Sequence, residues 1–263
     1  MASATYAVTG SASGIGQAVT ARLRRAGHRV IAVDRVGEVD VVADLGSVDG
    51  RAAAIAEVTD LCAGTLTGFV PCAGLAGLPN RAASLLVSVN YFGTVEMIDG
   101  LKGCLAAGGG SVVAISSNST TCQPGFSLDL VDACLDGDES VAVALADEGD
   151  SLTAYPATKT AIARWIRRRA AQPEWIGAGV RLNAVAPGMV ETAMIAEGKA
   201  DPVVGPLLGM FPLPRGRGGQ PEEIAEAIDF LLHNDYCVGT FLLLDGGTEA
   251  LLRPDDWPTR WEL

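Results

Sequence analysis

The chain has 263 residues, 49% hydrophobic and 19% charged, with a formal net charge of −12. That length suits one large α/β domain with a full core, and the composition leaves no stretch polar enough for disorder, so order is expected throughout. The negative charge repels phosphate backbones and anionic lipid, which argues against nucleic acid or a membrane as partner.

Thr5 to Ala26 reads as a short apolar strand, a glycine-rich turn and a helix with Ile15, Val19 and Leu23 at four-residue spacing. The turn is Thr9-Gly10-Ser11-Ala12-Ser13-Gly14-Ile15-Gly16. Glycines between a first strand and a first helix let the backbone approach a pyrophosphate at the helix N-terminus, although a glycine turn without a ligand has the same look. A second strand, Arg29 to Asp34, ends on a carboxylate 18 residues after Gly16. An acid there accepts hydrogen bonds from adenosine ribose hydroxyls and repels a ribose phosphate, so NAD is preferred over NADP. Arg35 is the one nearby cation that argues the other way. Asp44-Leu45 follows a third apolar stretch, Val39 to Ala43, where a carboxylate could meet the adenine amino group.

A helix is expected over about Val48 to Leu61, a strand at Leu66 to Val70, a helix from about Tyr91 to Ala106 and a strand at Val112 to Ile115. Cys72-Ala73-Gly74 ends the strand at Phe69 and Val70, at the edge that lines the ligand crevice in open α/β sheets. After Ile115 the rhythm breaks, and 121–151 is an acidic insertion with helical patterns around Val131 and Val141. The alternation resumes with a helix from Tyr155 to about Ala171, a strand at Val180 to Val185, a helix from Pro221 to His233 and a closing strand, Phe241 to Leu244. Such alternation predicts a single-domain, Rossmann-type α/β fold over 1–263, a doubly wound parallel sheet with helices on both faces and a helical insertion before the Tyr155 helix. Prolines 202, 206, 212 and 214 punctuate a segment, about 190–214, expected to form a substrate flap. The basic run Arg164 to Arg169 is broken by Trp165 and Ile166 at inward positions and reads as a solvated helix face.

Tyr155-Pro156-Ala157-Thr158-Lys159 is expected to open its helix, with Pro156 at the first position and Tyr155 and Lys159 one turn apart on one face. A neighbouring ammonium favours a phenolate and would bring Tyr155 towards the range useful for proton transfer at neutral pH. By itself the pair is also an ordinary amphipathic helix start. Ser117, at the end of the Val112 to Ile115 strand, and Asn90 can reach the same pocket if the sheet is parallel, with Ser116 a rival for the serine position.

Taken together, TGSASGIG at 9–16, CAG at 72–74, VNYFGT at 89–94, YPATK at 155–159, RLNAVAPGMVET at 181–192 and LDGG at 244–247 give the chain a resemblance to the short-chain dehydrogenase/reductase family. The resemblance spans nearly the whole sequence. It implies that Ser117 holds a substrate carbonyl, Tyr155 exchanges a proton with it, Lys159 binds the nicotinamide ribose and tunes Tyr155, and Asn90 supports a relay water. It implies further cofactor contacts at Gly10, Ser13, Gly14, Ile15, Gly16, Asp34, Asp44, Leu45, Cys72, Ala73, Gly74, Pro187, Gly188, Val190 and Thr192, with Thr192 on the carboxamide. Pro71-Cys72 stands where many members carry two asparagines, which removes two bracing amides.

With the insertion, the chain looks most like the bacterial 3α-hydroxysteroid dehydrogenase/carbonyl reductase branch, which implies an NAD(H)-dependent secondary alcohol dehydrogenase or ketone reductase for a bulky apolar substrate such as a steroid. Ile195, Leu207, Leu208, Met210 and Phe211 in the flap agree with an apolar substrate. The branch also implies a homodimer, with a homotetramer as the alternative. Two other readings remain: a 3-oxoacyl thioester reductase, which needs a basic patch for an acidic carrier, and a non-catalytic dinucleotide sensor. The six cysteines form no C-x-x-C pair and no metal-ligand spacing with histidine, so free thiols, no metal site and a reducing cytoplasm are expected.

Overall fold

The computed structural model describes residues 4–256; the order expected of 1–3 and 257–263 lies outside them. Seven parallel strands form one sheet in the order β3-β2-β1-β4-β5-β6-β7 among the described residues. The first half runs β1 (Thr5–Thr9), α1 (Gly14–Arg25), β2 (Arg29–Asp34), β3 (Val41–Val42), α2 (Val48–Leu61) and β4 (Gly68–Pro71). Helix α3 (Ala83–Leu86) then leads through a π-helical stretch, Val87–Phe92, into α4 (Gly93–Gly100) and α5 (Lys102–Gly108). Helical structure thus begins eight residues before the Tyr91 start expected from sequence, because Ala83 and Leu86 are buried where this first turn packs against the helices at 139–147 and 151–170.

Strand β5 (Ser111–Ile115) is followed by α6 (Ser119–Cys122) and by the two insertion helices, α7 (Leu128–Asp136) and α8 (Glu139–Asp147). Next come α9 (Ser151–Ala170), β6 (Arg181–Pro187), α10 (Ala193–Ala200), α11 (Val204–Met210), α12 (Pro221–His233), β7 (Phe241–Leu244) and α13 (Thr248–Leu252). The segment expected as a flap is therefore the helical pair α10 and α11, with Pro206 inside the second.

Strand parity builds two cores. Ala7, Ile31, Val33, Phe69, Val112 and Leu182 face a layer containing Ala54 and Val58 of α2, Met97 and Ile98 of α4 and Ile162 and Trp165 of α9. Tyr6, Val8, Val30, Val70, Val113 and Val185 face the opposite way, onto Val19 and Leu23 of α1 and Ile224 and Ile228 of α12. Between those two helices Arg22 Nε donates to Asp229 at 2.8 Å. Trp165 and Ile166 are buried while Arg167 and Arg168 are exposed, so the basic run is one face of a helix whose other face is core.

Helix α9 departs from expectation at its start. It begins at Ser151, capped by the Asp150 carboxylate accepting from Thr153 N at 2.8 Å, so Tyr155 lies in its second turn and Pro156 inside it. A proline there frees the carbonyl four residues back, Leu152 O. Gln123 Nε2, from the start of the insertion, donates to that carbonyl at 2.9 Å. The lost helical bond is thus replaced from a distant part of the chain.

Candidate active site

Strand order reverses at β1, whose neighbours β2 and β4 carry the chain to opposite halves of the sheet. At such a switch point the loops leaving the carboxyl ends diverge and open a crevice. The two central loops are stitched together: Cys72 N donates to Thr9 O at 3.2 Å and Ala73 N to Thr9 Oγ1 at 3.1 Å. Gly10 has φ +64°, and a Cβ there would stand 2.7 Å from Ala73 N. At Gly16 a Cβ would meet Gly10 O at 2.1 Å, so the turn closes on itself only because both positions lack side chains.

A cavity of about 280 Å³ runs along this crevice from Asp34 to Tyr155. Every residue expected to touch a cofactor lines it: Gly10, Ser13, Gly14, Ile15, Gly16, Asp34, Asp44, Leu45, Cys72, Ala73, Gly74, Tyr155, Lys159, Pro187, Gly188, Val190 and Thr192. Asp34 braces its own wall, since Oδ2 accepts from Ala12 N at 3.0 Å and Oδ1 from Arg35 N at 2.7 Å. Arg35 lines the same end. Thr192 caps α10, its Oγ1 donating to Val190 O at 3.2 Å and accepting from Ile195 N at 3.4 Å.

The bare glycine cradle, the carboxylate at one end and the phenol and ammonium at the other suit an elongated dinucleotide, with adenosine towards Asp34 and nicotinamide towards Tyr155.

At the far end, Ser117 and Tyr155 both line the cavity, with the Ser117 hydroxyl close enough to the phenol to favour its ionised form. Ser117 Oγ also accepts from Ser119 N at 3.1 Å. Its rival Ser116 has its hydroxyl committed, donating to Lys159 O at 2.9 Å. Lys159 is 5% exposed, and its ammonium donates to Ile115 O at 3.0 Å and stands 5.8 Å from the Tyr155 ring centre. These bonds join the end of β5 to α9 and set serine, tyrosine and lysine side by side.

The electrostatics differ from the sequence expectation. Burial pushes the Tyr155 phenol above its ordinary value, more than the neighbouring Ser117 hydroxyl lowers it. The same burial brings Lys159 down to about 8. Desolvation, rather than the lysine charge, dominates the pair. Cys72, in the cavity wall, is pushed up to about 12 by burial, which keeps its thiol protonated at neutral pH.

Asn90 is not brought to the cavity surface. It is fully buried in the π-helical stretch, where Oδ1 accepts from Leu75 N at 2.7 Å and Nδ2 donates to Leu75 O at 3.0 Å. Its backbone carbonyl accepts from Thr94 Oγ1 at 2.7 Å. The amide thus holds the loop after Gly74, and Leu75 in turn lines the cavity.

Sequence reasoning missed Ala43, Leu75, Val89, Ile115, Ala193 and Met194 in the lining. All are apolar and carry no polar group to mark them in the sequence; for Val89 the adjacency to Asn90 was the available signal, and for Ala193 and Met194 their place in the expected flap. Of the apolar flap residues, Ile195 lines the cavity, whereas Leu207 and Met210 face outward, Met210 being 73% exposed. All six cysteines are free, and among the described residues no group of His, Cys, Asp or Glu is placed to hold a metal. No helix of the described residues is long and apolar enough to cross a membrane.

Residues 4–127 match the family model described as short chain dehydrogenase, and residues 140–249 one described as enoyl-(acyl carrier protein) reductase. The 3-alpha-hydroxysteroid dehydrogenase/carbonyl reductase of Comamonas testosteroni is 36% identical over 94% of this chain and 97% of its own length. A galactitol 2-dehydrogenase (L-tagatose-forming) of Cereibacter sphaeroides is 29% identical over 93% and 94%. Among solved structures, the 3-alpha-hydroxysteroid dehydrogenase of Pseudomonas sp. B-0831 complexed with NADH superposes with a TM-score of 0.91 and 44% identity, over 96% of this chain and 100% of that one.

Proposed function

Because the chain belongs to the short-chain dehydrogenase/reductase family, we propose that it is an NAD-dependent oxidoreductase interconverting a secondary alcohol and a ketone. Its substrate in this reading is a bulky apolar molecule such as a 3α-hydroxysteroid or a related carbonyl compound. One observation carries it: a single cavity joins the Asp34 carboxylate to the Tyr155 phenol and the Lys159 ammonium. The two 3α-hydroxysteroid dehydrogenase relatives and the apolar wall formed by Leu75, Val89, Met194 and Ile195 support the substrate class.

When bound, the nicotinamide dinucleotide supplies the hydride in reduction and accepts it in oxidation. Glycines 10, 14 and 16 let the backbone come close to the pyrophosphate, and Asp34 accepts from the adenosine ribose hydroxyls. Asp34 also disfavours a ribose phosphate, so NADP is the poorer cofactor. Lys159 holds the nicotinamide ribose, and Pro187, Gly188 and Thr192 form the wall beside the nicotinamide. Ser117 donates a hydrogen bond to the substrate oxygen. In reduction, the Tyr155 hydroxyl gives its proton to the developing alkoxide; in oxidation the phenolate takes the proton back. The raised phenol pKa keeps Tyr155 protonated and ready as an acid before the cofactor charge arrives. Asn90 acts through Leu75, fixing the loop that meets the substrate.

In this reading 1–263 is one dinucleotide-binding domain. The protein is a dimer: α7 and α8 pack over α9 and the π-helical stretch and cover that face, while the edge strand β7 leaves Phe241 to Leu244 half-buried, next to a fully exposed Tyr236. Light scattering checks it, and a tetramer would refute it. Six free thiols support a reducing cytoplasm as the location. The test of function is NADH consumption with a panel of steroid and aryl ketones, alongside acyl thioesters. Turnover of the ketones is the expected result. Activity with thioesters alone, or tight NADH binding without any turnover, would overturn it.

A further inference from the structure

Arg51 of α2 is 0% exposed, so its guanidinium has lost all water. A charge so placed is tolerated only when paired and hydrogen-bonded around its whole fork. Nε donates to Glu96 Oε2 at 2.6 Å and Nη2 to Glu96 Oε1 at 3.3 Å, a two-point contact with α4. Nη1 donates to Glu139 Oε1 at 3.3 Å and Nη2 to Glu139 Oε2, a second two-point contact. Glu139 is the first residue of the insertion helix α8. The remaining partner is a backbone carbonyl, Leu45 O, at 3.3 Å from Nη1.

Leu45 lines the cavity at its Asp34 end, beside Asp44. Its carbonyl is boxed in, since a Cβ on Gly93 would come within 3.1 Å of it. The other end of α8 is also anchored: Asp147 Oδ1 accepts from Ser84 N at 3.0 Å, at the start of the rod that carries Val89 into the cavity wall. An insertion that touches no part of the cavity is therefore hydrogen-bonded, through one buried cation, to the backbone of the loop that forms its adenosine end.

We propose that Arg51 and Glu139 are positioning residues for the adenosine half of the dinucleotide: the insertion fixes the Asp44-Leu45 loop through Arg51 and so sets dinucleotide affinity without contacting the cofactor. The proposal rests on the cavity being the NAD site. Neutralising Glu139 leaves two guanidinium donors without a charged acceptor, and the fork then shifts towards Glu96 and releases Leu45. The phenol, Ser117 and Lys159 stand at the other end of the cavity, so the chemical step is untouched. Linkage adds a reciprocal effect, in which an adenine nucleotide bound against Leu45 stabilises α8.

The test is Glu139→Gln, which keeps the side-chain volume, with AMP as an adenosine-half probe. The expected result is a rise of about fivefold or more in KM for NAD and in the AMP inhibition constant together, with kcat at saturating NAD within about twofold of the parent. In the unmodified protein, AMP should slow amide hydrogen exchange across residues 139–147, a readout that does not depend on the variant folding. Unchanged AMP inhibition in a folded variant, a fall in kcat with unchanged KM, or exchange at 139–147 indifferent to AMP would overturn the proposal. If the unmodified protein bound neither AMP nor NADH, the reading of the cavity would fall, and this coupling with it.

Discussion

Lys159→Met exchanges a buried ammonium for an apolar chain of similar length. The fold holds this lysine at about 8, against an ordinary 10.5, because burial strips water from the charged form. Between those two values the unfolded chain binds the proton and the folded one does not, so the contribution of Lys159 to stability rises with pH across that window. Below about pH 8 the folded state bears the whole cost, about 3 kcal/mol for a displacement of this size. Above 10.5 both states are neutral and the cost is gone. The variant also loses the hydrogen bond to Ile115 O, worth about 1 kcal/mol. Without nucleotide, Lys159→Met is therefore expected to be about 2 kcal/mol more stable than the parent at neutral pH and about 1 kcal/mol less stable near the upper limit. Urea unfolding followed by the fluorescence of the buried Trp165 and Trp175 measures it across the window. Turnover should be lost at every pH, marking a residue kept for chemistry at the expense of stability. A stability difference that stays flat from neutral pH to the upper limit would refute the burial argument.

Tyr155→Phe keeps the ring, and Ser117 Oγ retains its bond from Ser119 N, so stability should change by no more than about 1 kcal/mol. NADH binding should persist while kcat falls by about a thousandfold, read from NADH absorbance; retention of most activity would refute the proton-transfer role. Asp34→Asn removes the charge that disfavours a ribose phosphate and should raise the NADP-to-NAD ratio of kcat/KM about tenfold or more. Gly16→Ala forces a Cβ to within 2.1 Å of Gly10 O, so the turn must shift. That variant should lose NADH binding by fluorescence titration and unfold with about 1–3 kcal/mol less stability.

Much of the fold is legible locally. The helix Pro221–His233 and the strand Phe241–Leu244 stand where periodicity places them. The insertion likewise holds its two helices around Val131 and Val141. The start of α9 is not legible, because a proline reads as a first-turn residue unless something distant takes the carbonyl it frees. Gln123 does so, 29 residues from Leu152, and no local pattern announces it. Ser116 and Ser117 are indistinguishable in sequence. Both line the cavity, and only the packing past the end of β5 commits the Ser116 hydroxyl to Lys159 O while the Ser117 hydroxyl accepts from Ser119 N and keeps its own proton free to donate.

The sequence alone determined the alternation of strands and helices, the glycine turn, the acid at Asp34 and the spacing of Tyr155 and Lys159, because each depends on residues near one another along the chain. Tertiary structure decided what depends on burial and on contacts between distant segments. It turned Asn90 away from the cavity to hold Leu75, and it raised the phenol while lowering the ammonium. It also closed Arg51 between two carboxylates that lie 45 and 88 residues away in the chain. Desolvation belongs to the packed interior and has no signature in any one stretch of sequence.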